Sequence, residues 1–430
     1  MGRVIGGDAE RGEGPASRAR RERPRRVFYA AGPGDVVGTF RHWKEGQDDP
    51  GQMAMTWSGQ FFDVCREQGF DAEVMSWHKR PDRERDGRFV VSNCPKPAWT
   101  SRGGWRYHLG QQWFVLRLLA RVLRSRADIV LLGGGNQLWP FALLRLLGVK
   151  VVVDFTCVLW PQFRPRRGVT DLLLRLDRAF LRRHALALLS ASCDITRQLS
   201  EVAGGRPRPV IEYLPTYRRD RFVRLPVPAG SPFRIVFAGR IEVTKGVLTL
   251  LELARRFRDG GRAIAIDVCG DGGALEEMRR RVEEERLSSH IALHGYCLAE
   301  KLGPMYARSH AVIVPTTSAF IEGFNMVVVE AVLSGRPVVT SPVCPSVHYL
   351  GEAVVVVPVD DVSAYQRAIE RLADDPAHYE RVLEAGKAVG EKFFDPELGF
   401  ASALRAAFGA ACAASAPPDR TLALAERAAP

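Results

Sequence analysis

Short β-rich runs alternate with helical patterns along nearly the whole of this 430-residue chain, and they do so in two blocks. The first block contains RVFYA (26–30), AEVMSW (72–77), DIVLL (128–132), VKVVVDF (149–155), ALALLS (185–190) and PVIEY (209–213). Helical patterns over 52–69, 105–126, 138–147, 170–183 and 194–203 separate them. The second block contains FRIVFAG (233–239), AIAIDVCG (263–270), HIALHG (290–295), AVIVP (311–315), RPVVTS (336–341) and AVVVVP (353–358). Helices are predicted there over 247–258, 274–286, 326–333 and 362–373. A strand that returns to its sheet through a helix runs parallel to the strand before it. The chain is therefore expected to be α/β, with two Rossmann-like parallel-sheet domains facing a cleft. Open sheets of this kind bind ligands beyond the carboxyl ends of their strands.

The expected boundaries follow from composition. Residues 1–25 and 413–430 lack apolar periodicity and read as disordered tails. An amino-terminal domain covers 26–215, the proline-rich stretch TYRRDRFVRLPVPAGSP (216–232) is the linker, and a second domain covers 233–390. The segment Glu391–Cys412 is expected to cross back to the first domain.

With 46% hydrophobic and 26% charged residues, the chain has an ordinary globular composition. No run of about 18 apolar residues is free of charge, so no spanning helix is expected. The closest two of the eight cysteines, Cys269 and Cys297, are 28 residues apart, and this excludes knuckle-type zinc spacing. Free thiols suit a reducing compartment. The opening residues have no apolar signal core, and a cytoplasmic location is the expectation.

The net charge of +12 is uneven. Residues 26–215 hold 28 basic and 18 acidic side chains, or +10, while residues 231–412 hold 20 and 24, or −4. A basic front half attracts phosphates, nucleic acid or anionic lipid. No nucleic-acid motif is present and the arginines are dispersed, so nucleic acid is not an expected partner.

Three constellations could carry chemistry. FAGRIEVTKG (237–246) ends a strand and turns at Gly239. Arg240 and Lys245 would then stand beside a helix start, where cations and free amides gather an anion. CGDGG (269–273) is a glycine turn whose plain reading is a tight bend. SAFIEGFNMVVVEAVLSGRPVVTS (318–341) places Glu322 and Glu330 eight residues apart about a helix predicted to begin near Phe324. The amides of Phe324, Asn325 and Met326 would face a phosphate, and the two carboxylates would flank it. Taken singly, each has a bland reading: solvated cations, a turn, a capped helix.

Together, and in this order, they resemble the carboxyl-terminal domain of family 4 glycosyltransferases with the GT-B architecture, over roughly residues 233–358. The resemblance implies a hexosyl transfer from a nucleotide-sugar, UDP- or GDP-linked, to a hydroxyl acceptor, with retention at the anomeric carbon. It implies that Arg240 and Lys245 hold the diphosphate and that Glu322 contacts the sugar. Glu330 would contact the ribose. Gly239, Gly323, Phe324, Asn325 and Met326 would surround the phosphates, and Gly295 and Tyr296 would lie by the base. The family pattern usually has glycine where Asn325 stands. No D-x-D occurs in the chain, so no metal and no cofactor beyond the donor are expected, and the cations replace a divalent ion.

The front half matches less. AAGPGDVVGTFRHW (30–43) is a glycine-rich loop whose Gly34 and Gly38 are assigned to the donor side. The run VVVDFTCVLWP (151–161) resembles the family strand that delivers a histidine, yet Thr156 stands there. Asp154, Asp35 and His42 are the nearby substitutes. Thr156 keeps open a second reading, a nucleotide-sugar-binding scaffold with a degenerate catalytic site. The segment 101–126 mixes Trp105, Tyr107, Trp113 and Phe114 with Arg102, Arg106, Arg117, Arg121, Arg124 and Arg126. It reads either as a crossover helix packed on the sheet or as an interfacial helix on an anionic membrane. A lipid-linked acceptor would fit the second reading.

Overall fold

The computed structural model describes residues 23–413 except 98–104, 136, 167 and 206, and of 105–108, 169, 170 and 299 only the backbone. Most of both tails, and Arg102, lie outside the described residues. The first sheet has eight strands: β1 (Arg26–Pro33), β2 (Asp71–Trp77), β3 (Asp82–Asp86), β4 (Phe89–Cys94), β5 (Ile129–Gly133), β6 (Lys150–Phe155), β7 (Ala187–Ser190) and β8 (Val210–Glu212). Their spatial order is β3-β4-β2-β1-β5-β6-β7-β8. All pairings are parallel except β3 with β4.

That antiparallel edge departs from the expected parallel sheet. β3 and β4 form a hairpin turning at Gly87, whose φ is +53°. Asp86-Gly87 is a turn dipeptide, but the run DRERD has no apolar residue to mark it as a strand. Its charges are what hold it. In α1 (Val36–Lys44), Arg41 reaches Asp82 at 2.8 Å and Glu84 at 2.6 Å, and Lys44 reaches Glu84 at 2.6 Å. A charged edge also discourages pairing with another chain.

The other helices of this half are α2 (Trp57–Glu67), α3 (Trp105–Ser125), a 3-10 helix (Trp139–Leu147), α4 (Val169–Arg183) and α5 (Cys193–Ala203). α2 starts five residues later than predicted because Thr56 caps it, its Oγ1 accepting from the Gly59 amide at 3.0 Å.

The second sheet is wholly parallel. Its strands β9 (Phe233–Ala238), β10 (Ile264–Cys269), β11 (Ile291–Gly295), β12 (Ala311–Val314), β13 (Val338–Thr340) and β14 (Val354–Val356) lie in the order β11-β10-β9-β12-β13-β14. Around it lie α6 (Val247–Asp259), α7 (Leu275–Glu284), α8 (Ala299–Arg308), α9 (Met326–Leu333), α10 (Val347–Leu350), α11 (Val362–Asp374) and α12 (Pro376–Gly390). Helices α8 and α12 were not expected. Pro304 sits inside α8, and proline argues against a helix interior. In α12 the proline is the first helical residue, where it costs no hydrogen bond, and Asp375 caps it.

The segment 216–232 is not a loose linker. Tyr217 and Phe222 are buried with Phe393 and the inner face of α9. Arg336 is fully buried and donates to the carbonyls of Leu225 (3.0 Å), Pro226 (2.7 Å) and Tyr306 (2.8 Å). A buried guanidinium needs such partners, so Arg336 fastens the connection to the second domain.

The last helix, α13 (Phe400–Ala413), returns to the first sheet. Phe400, Leu404 and Phe408 are fully buried in that core, with Phe400 against Trp57 and Tyr213 and Phe408 against Phe61. Each such burial is worth about 1.5–3 kcal/mol.

Candidate functional site

Chain order reverses at one point in each sheet. In the second, β10 and β11 lie on one side of β9, while β12, β13 and β14 lie on the other. The loops leaving β9 and β12 therefore flank the crevice where such sheets take ligands. Across it, Lys245 Nζ meets Glu322 Oε2 at 2.7 Å, and Asn325 Nδ2 donates to the same oxygen at 2.9 Å. Lys245 Nζ also stands 3.8 Å from the centre of the Phe320 ring, and the Arg240 guanidinium is 5.4 Å from it. Two cations thus stand within reach of one aromatic ring. Arg240 is exposed, and its partner is Glu242 at 2.9 Å.

Glycine sets this geometry. Gly246 has φ +80°, and a Cβ there would lie 1.9 Å from the Pro315 carbonyl oxygen. Only glycine lets the Lys245 turn press onto the β12 loop. In CGDGG, a Cβ on Gly270 would lie 1.8 Å from the Gly239 oxygen, and one on Gly272 would lie 2.5 Å from the Ile241 oxygen. That turn supports the Arg240 loop from behind. Gly239 joins it through its amide, which donates to Cys269 at 2.9 Å.

The α9 helix spans Met326–Leu333, as its helical pattern predicts, and so begins two residues after Phe324. Asn325 precedes it with φ +68°, in the left-handed region. Asparagine tolerates that region better than other residues with a Cβ, so it can stand where glycine is usual. No described residue accepts a hydrogen bond from the amides of Phe324, Asn325, Met326 or Val327. The Phe324 ring turns inward, against Tyr349 and Phe393. Glu330 is buried, and burial pushes its carboxyl up to about 7. Gly295 ends the outermost strand, and Tyr296, which follows it, is exposed. Its hydroxyl comes within 4.0 Å of a Cβ built on Gly51, across from the first domain.

In the first sheet the reversal falls between β1 and β5, and a cavity of about 760 Å³ opens there. Gly32, Gly34 and Asp35 line it at the end of β1, Gly133–Gly135 at the end of β5, and Thr156 after β6. Ile321 and Met326 reach it from the second domain. Gly34 lines the cavity, but Gly38 does not. It lies inside α1, and its amide is taken by Asp35 Oδ1 at 2.8 Å because Asp35 caps that helix. His42, on the same helix, is likewise not among the lining residues.

Four carboxylates line the cavity, and no lysine, arginine or histidine is among the lining residues described. Burial raises Asp35, but the Gly38 amide and the Asn93 side chain outweigh it and hold its carboxyl below the usual range. Asp154 accepts from the Tyr213 hydroxyl at 2.6 Å, and burial pushes it up to about 7 against that pull. Asp177 accepts the Leu138 and Trp139 amides at 2.8 Å each, and burial raises it to about 6. Asp49 accepts from Thr39 at 2.8 Å. Sequence reasoning missed Asp177, Asp49 and Phe320. Asp177 sits in an arginine-rich helix and looks like a surface charge until α4 and the 3-10 helix are seen to pack together.

Arg240, Lys245 and Glu322 do not line the cavity; they lie across the seam between domains. The seam is tight at one place. Val158 donates to the Glu322 carbonyl at 3.4 Å, and Ser192 Oγ donates to the Gly323 carbonyl at 2.8 Å. The Cys193 amide donates to the Tyr349 hydroxyl, which donates to Glu212, both at 2.6 Å. Cys193, Asp194 and His348 bring possible ligand atoms within 4.8 Å of one another, but Asp194 is already paired with Arg197 at 2.8 Å.

Residues 222–389 match the family described as glycosyl transferases group 1. Alpha-D-kanosaminyltransferase from Streptomyces kanamyceticus is 25% identical over 268 residues, 58% of this chain and 68% of that protein. Among solved structures, the sucrose-phosphate synthase of Thermosynechococcus elongatus superposes with a TM-score of 0.69 at 17% identity, over 91% of this chain and 100% of that one. Anabaena Alr3699/HepE in complex with UDP gives 0.64 at 15% identity, over 90% and 99%. Residues 222–389 thus resemble the group 1 glycosyl transferases, and the chain as a whole has the GT-B fold, two parallel-sheet domains facing a cleft.

Proposed function

We propose that the protein is a family 4-type glycosyltransferase that moves a sugar from a nucleoside-diphosphate sugar to a hydroxyl acceptor. The observation that carries this reading is the Lys245–Glu322 contact at the reversal point of the second sheet, beside unpaired α9 amides and across the seam from the cavity. The diphosphate would take Lys245, Arg240 and the helix amides. Lys245 would exchange Glu322 for phosphate, which frees the Glu322 carboxylate to accept from sugar hydroxyls. Glu330 would accept from the ribose. The match to Anabaena Alr3699/HepE, solved with UDP, supports a UDP-type donor.

As the glycosidic bond breaks, charge grows on the leaving diphosphate. Cations and amides already aimed at that charge lower the barrier, by about 3–4 kcal/mol for one good donor. On this reading no divalent ion is needed, and full activity in excess chelator is the expected result. The resemblance to retaining enzymes supports retention, with the donor phosphate taking the acceptor proton. The acceptor would enter the cavity of the first domain.

Thr156 at the cavity wall, and the lack of a histidine among its described lining residues, favour a second reading, a binding protein without turnover. A thermal-shift panel of UDP, GDP, ADP, CDP and dTDP, followed by donor hydrolysis, separates the two. A ligand at about 100 times its dissociation constant stabilises by about 2.7 kcal/mol. A shift abolished by Arg240→Ala, together with hydrolysis of the matching sugar, supports the enzyme. A shift without turnover supports the scaffold, and the absence of any shift rejects the site.

A further inference from the structure

The α3 helix is apolar on two opposite sides. Its inner side, with Phe114, Val115, Leu118 and Val122, packs into the first core. Its outer side carries Leu109, Trp113, Leu116 and Leu123, all exposed. Their spacing of four, three and seven residues puts them on one stripe. A crossover helix of a water-soluble domain places polar side chains there.

The face continues beyond α3. The 3-10 helix packs against both α3 and α4. It exposes Trp139, Leu143, Leu146 and Leu147, with Leu146 83% exposed. On α4, Leu172 and Leu176 are exposed, one turn apart. Half of the molecule's described large exposed hydrophobics therefore fall on three adjacent elements, and contiguous apolar surface of that kind marks an interaction site.

Arginines frame it. Arg117 and Arg124 stand beside the α3 stripe, Arg145 on the 3-10 helix, and Arg175 and Arg178 on α4, all exposed. The Arg117 guanidinium lies 5.3 Å from the Trp113 ring. The described acid among these outward residues, Asp171, is paired with Arg175 at 2.8 Å. We propose that the outward face of α3, the 3-10 helix and α4 docks on an anionic lipid bilayer. Leucines and tryptophans would enter the headgroup boundary while arginines reach lipid phosphates.

The charge pattern favours lipid over a second copy of the chain. A two-fold self-contact would lay arginines against arginines, with no carboxylates to answer them. No described helix is long and apolar enough to cross a membrane, so this face would lie on the bilayer. The inner sides of the same elements wall the cavity through Gln111, Val115, Leu138, Leu173 and Asp177. Docking would bring the cavity close to lipid. The docking itself does not depend on the transferase reading.

The test is co-sedimentation of the full chain with phosphatidylcholine vesicles, with and without phosphatidylglycerol. Wild type is expected to pellet with the anionic vesicles and to be released by salt. The variant Leu116→Gln/Leu143→Gln/Leu146→Gln is expected to lose binding by about tenfold or more, with unchanged melting because all three side chains are exposed. Arg117→Gln/Arg145→Gln/Arg175→Gln should lose the preference for anionic lipid. Wild type that stays in the supernatant, or a leucine variant that binds as wild type does, overturns the proposal. So does a wild-type dimer by light scattering that the leucine variant dissolves, since the face is then a self-contact.

Discussion

Gly323 and Thr156 meet backbone to backbone at the seam: a Cβ on residue 323 would stand 1.7 Å from the Thr156 carbonyl oxygen. No rotamer change can relieve such a contact, since both atoms are backbone or fixed to it. Gly323→Ala should therefore hold the two domains apart while leaving each one folded. Nucleotide affinity is expected to change by about threefold or less, and turnover to fall about a hundredfold or more, because a small misplacement of reacting groups is costly. Isothermal titration with the nucleotide found by thermal shift, alongside donor hydrolysis, checks this. Equal losses in both would show that the seam is not a separate requirement.

Lys245 and Glu322 are the most enclosed ion pair at the candidate donor site, with side chains 14% and 10% exposed. Lys245→Ala would leave a buried carboxylate without its cation, at a cost of about 3 kcal/mol. It should also lower the transfer rate by about 10²–10³, through loss of a donor to the departing phosphate. Glu322→Gln should restore much of the stability to the lysine variant and none of its rate. Urea melts and initial rates on the single and double variants give the four numbers needed.

On the proposed reading, Glu330 serves nucleotide binding alone. Glu330→Ala is expected to weaken nucleotide affinity about tenfold, the loss of one charge-assisted hydrogen bond to a ribose hydroxyl. A 2′,3′-dideoxy nucleotide should bind wild type and variant equally. Unchanged affinity for the ribonucleotide would remove Glu330 from the site.

Asp154 should tilt stability with pH. Its carboxyl lies at about 7 in the folded protein, raised by burial, against about 3.9 in an unfolded chain. Below about pH 4 both states hold the proton and nothing is lost. Between about 4 and 7 the unfolded chain gives up its proton first, so stability falls as pH rises, and the fall is complete above 7. Asp154→Asn removes this slope and keeps the oxygen that accepts from Tyr213. The stability of wild type relative to the variant should drop by about 3 kcal/mol at most between pH 5 and pH 8. A difference that stays flat would mean Asp154 is ionised throughout.

The strands of both sheets that alternate with helices were legible because buried parallel strands are continuous apolar runs, as in VKVVVDF and AVIVP. The β3 strand was not, since DRERD is held by ion pairs to α1 and not by burial. Arg240, Lys245, Glu322, Asn325 and Glu330 were readable as a group because their loops follow one another in a fixed order. The Lys245–Glu322 contact was not readable, because it depends on β9 and β12 being neighbours although two strands separate them in sequence. Gly38 was misplaced because a glycine-rich loop and a helix capped by Asp35 look alike in sequence. Segment 101–126 posed a choice between core packing and interface, and α3 carries apolar residues on both faces.

The return of α13 to the first sheet has a consequence for synthesis. A ribosome releases the first domain's strands long before residues 400–413 exist, and domains otherwise tend to fold in the order they emerge. Until Phe400, Leu404 and Phe408 arrive, the hydrophobic floor they cover lies open beside Trp57, Phe61 and Tyr213. The half of the molecule that is made first can be finished only after the other half has been translated, so a chain stalled or cut before residue 400 would offer that bare floor to chaperones and proteases.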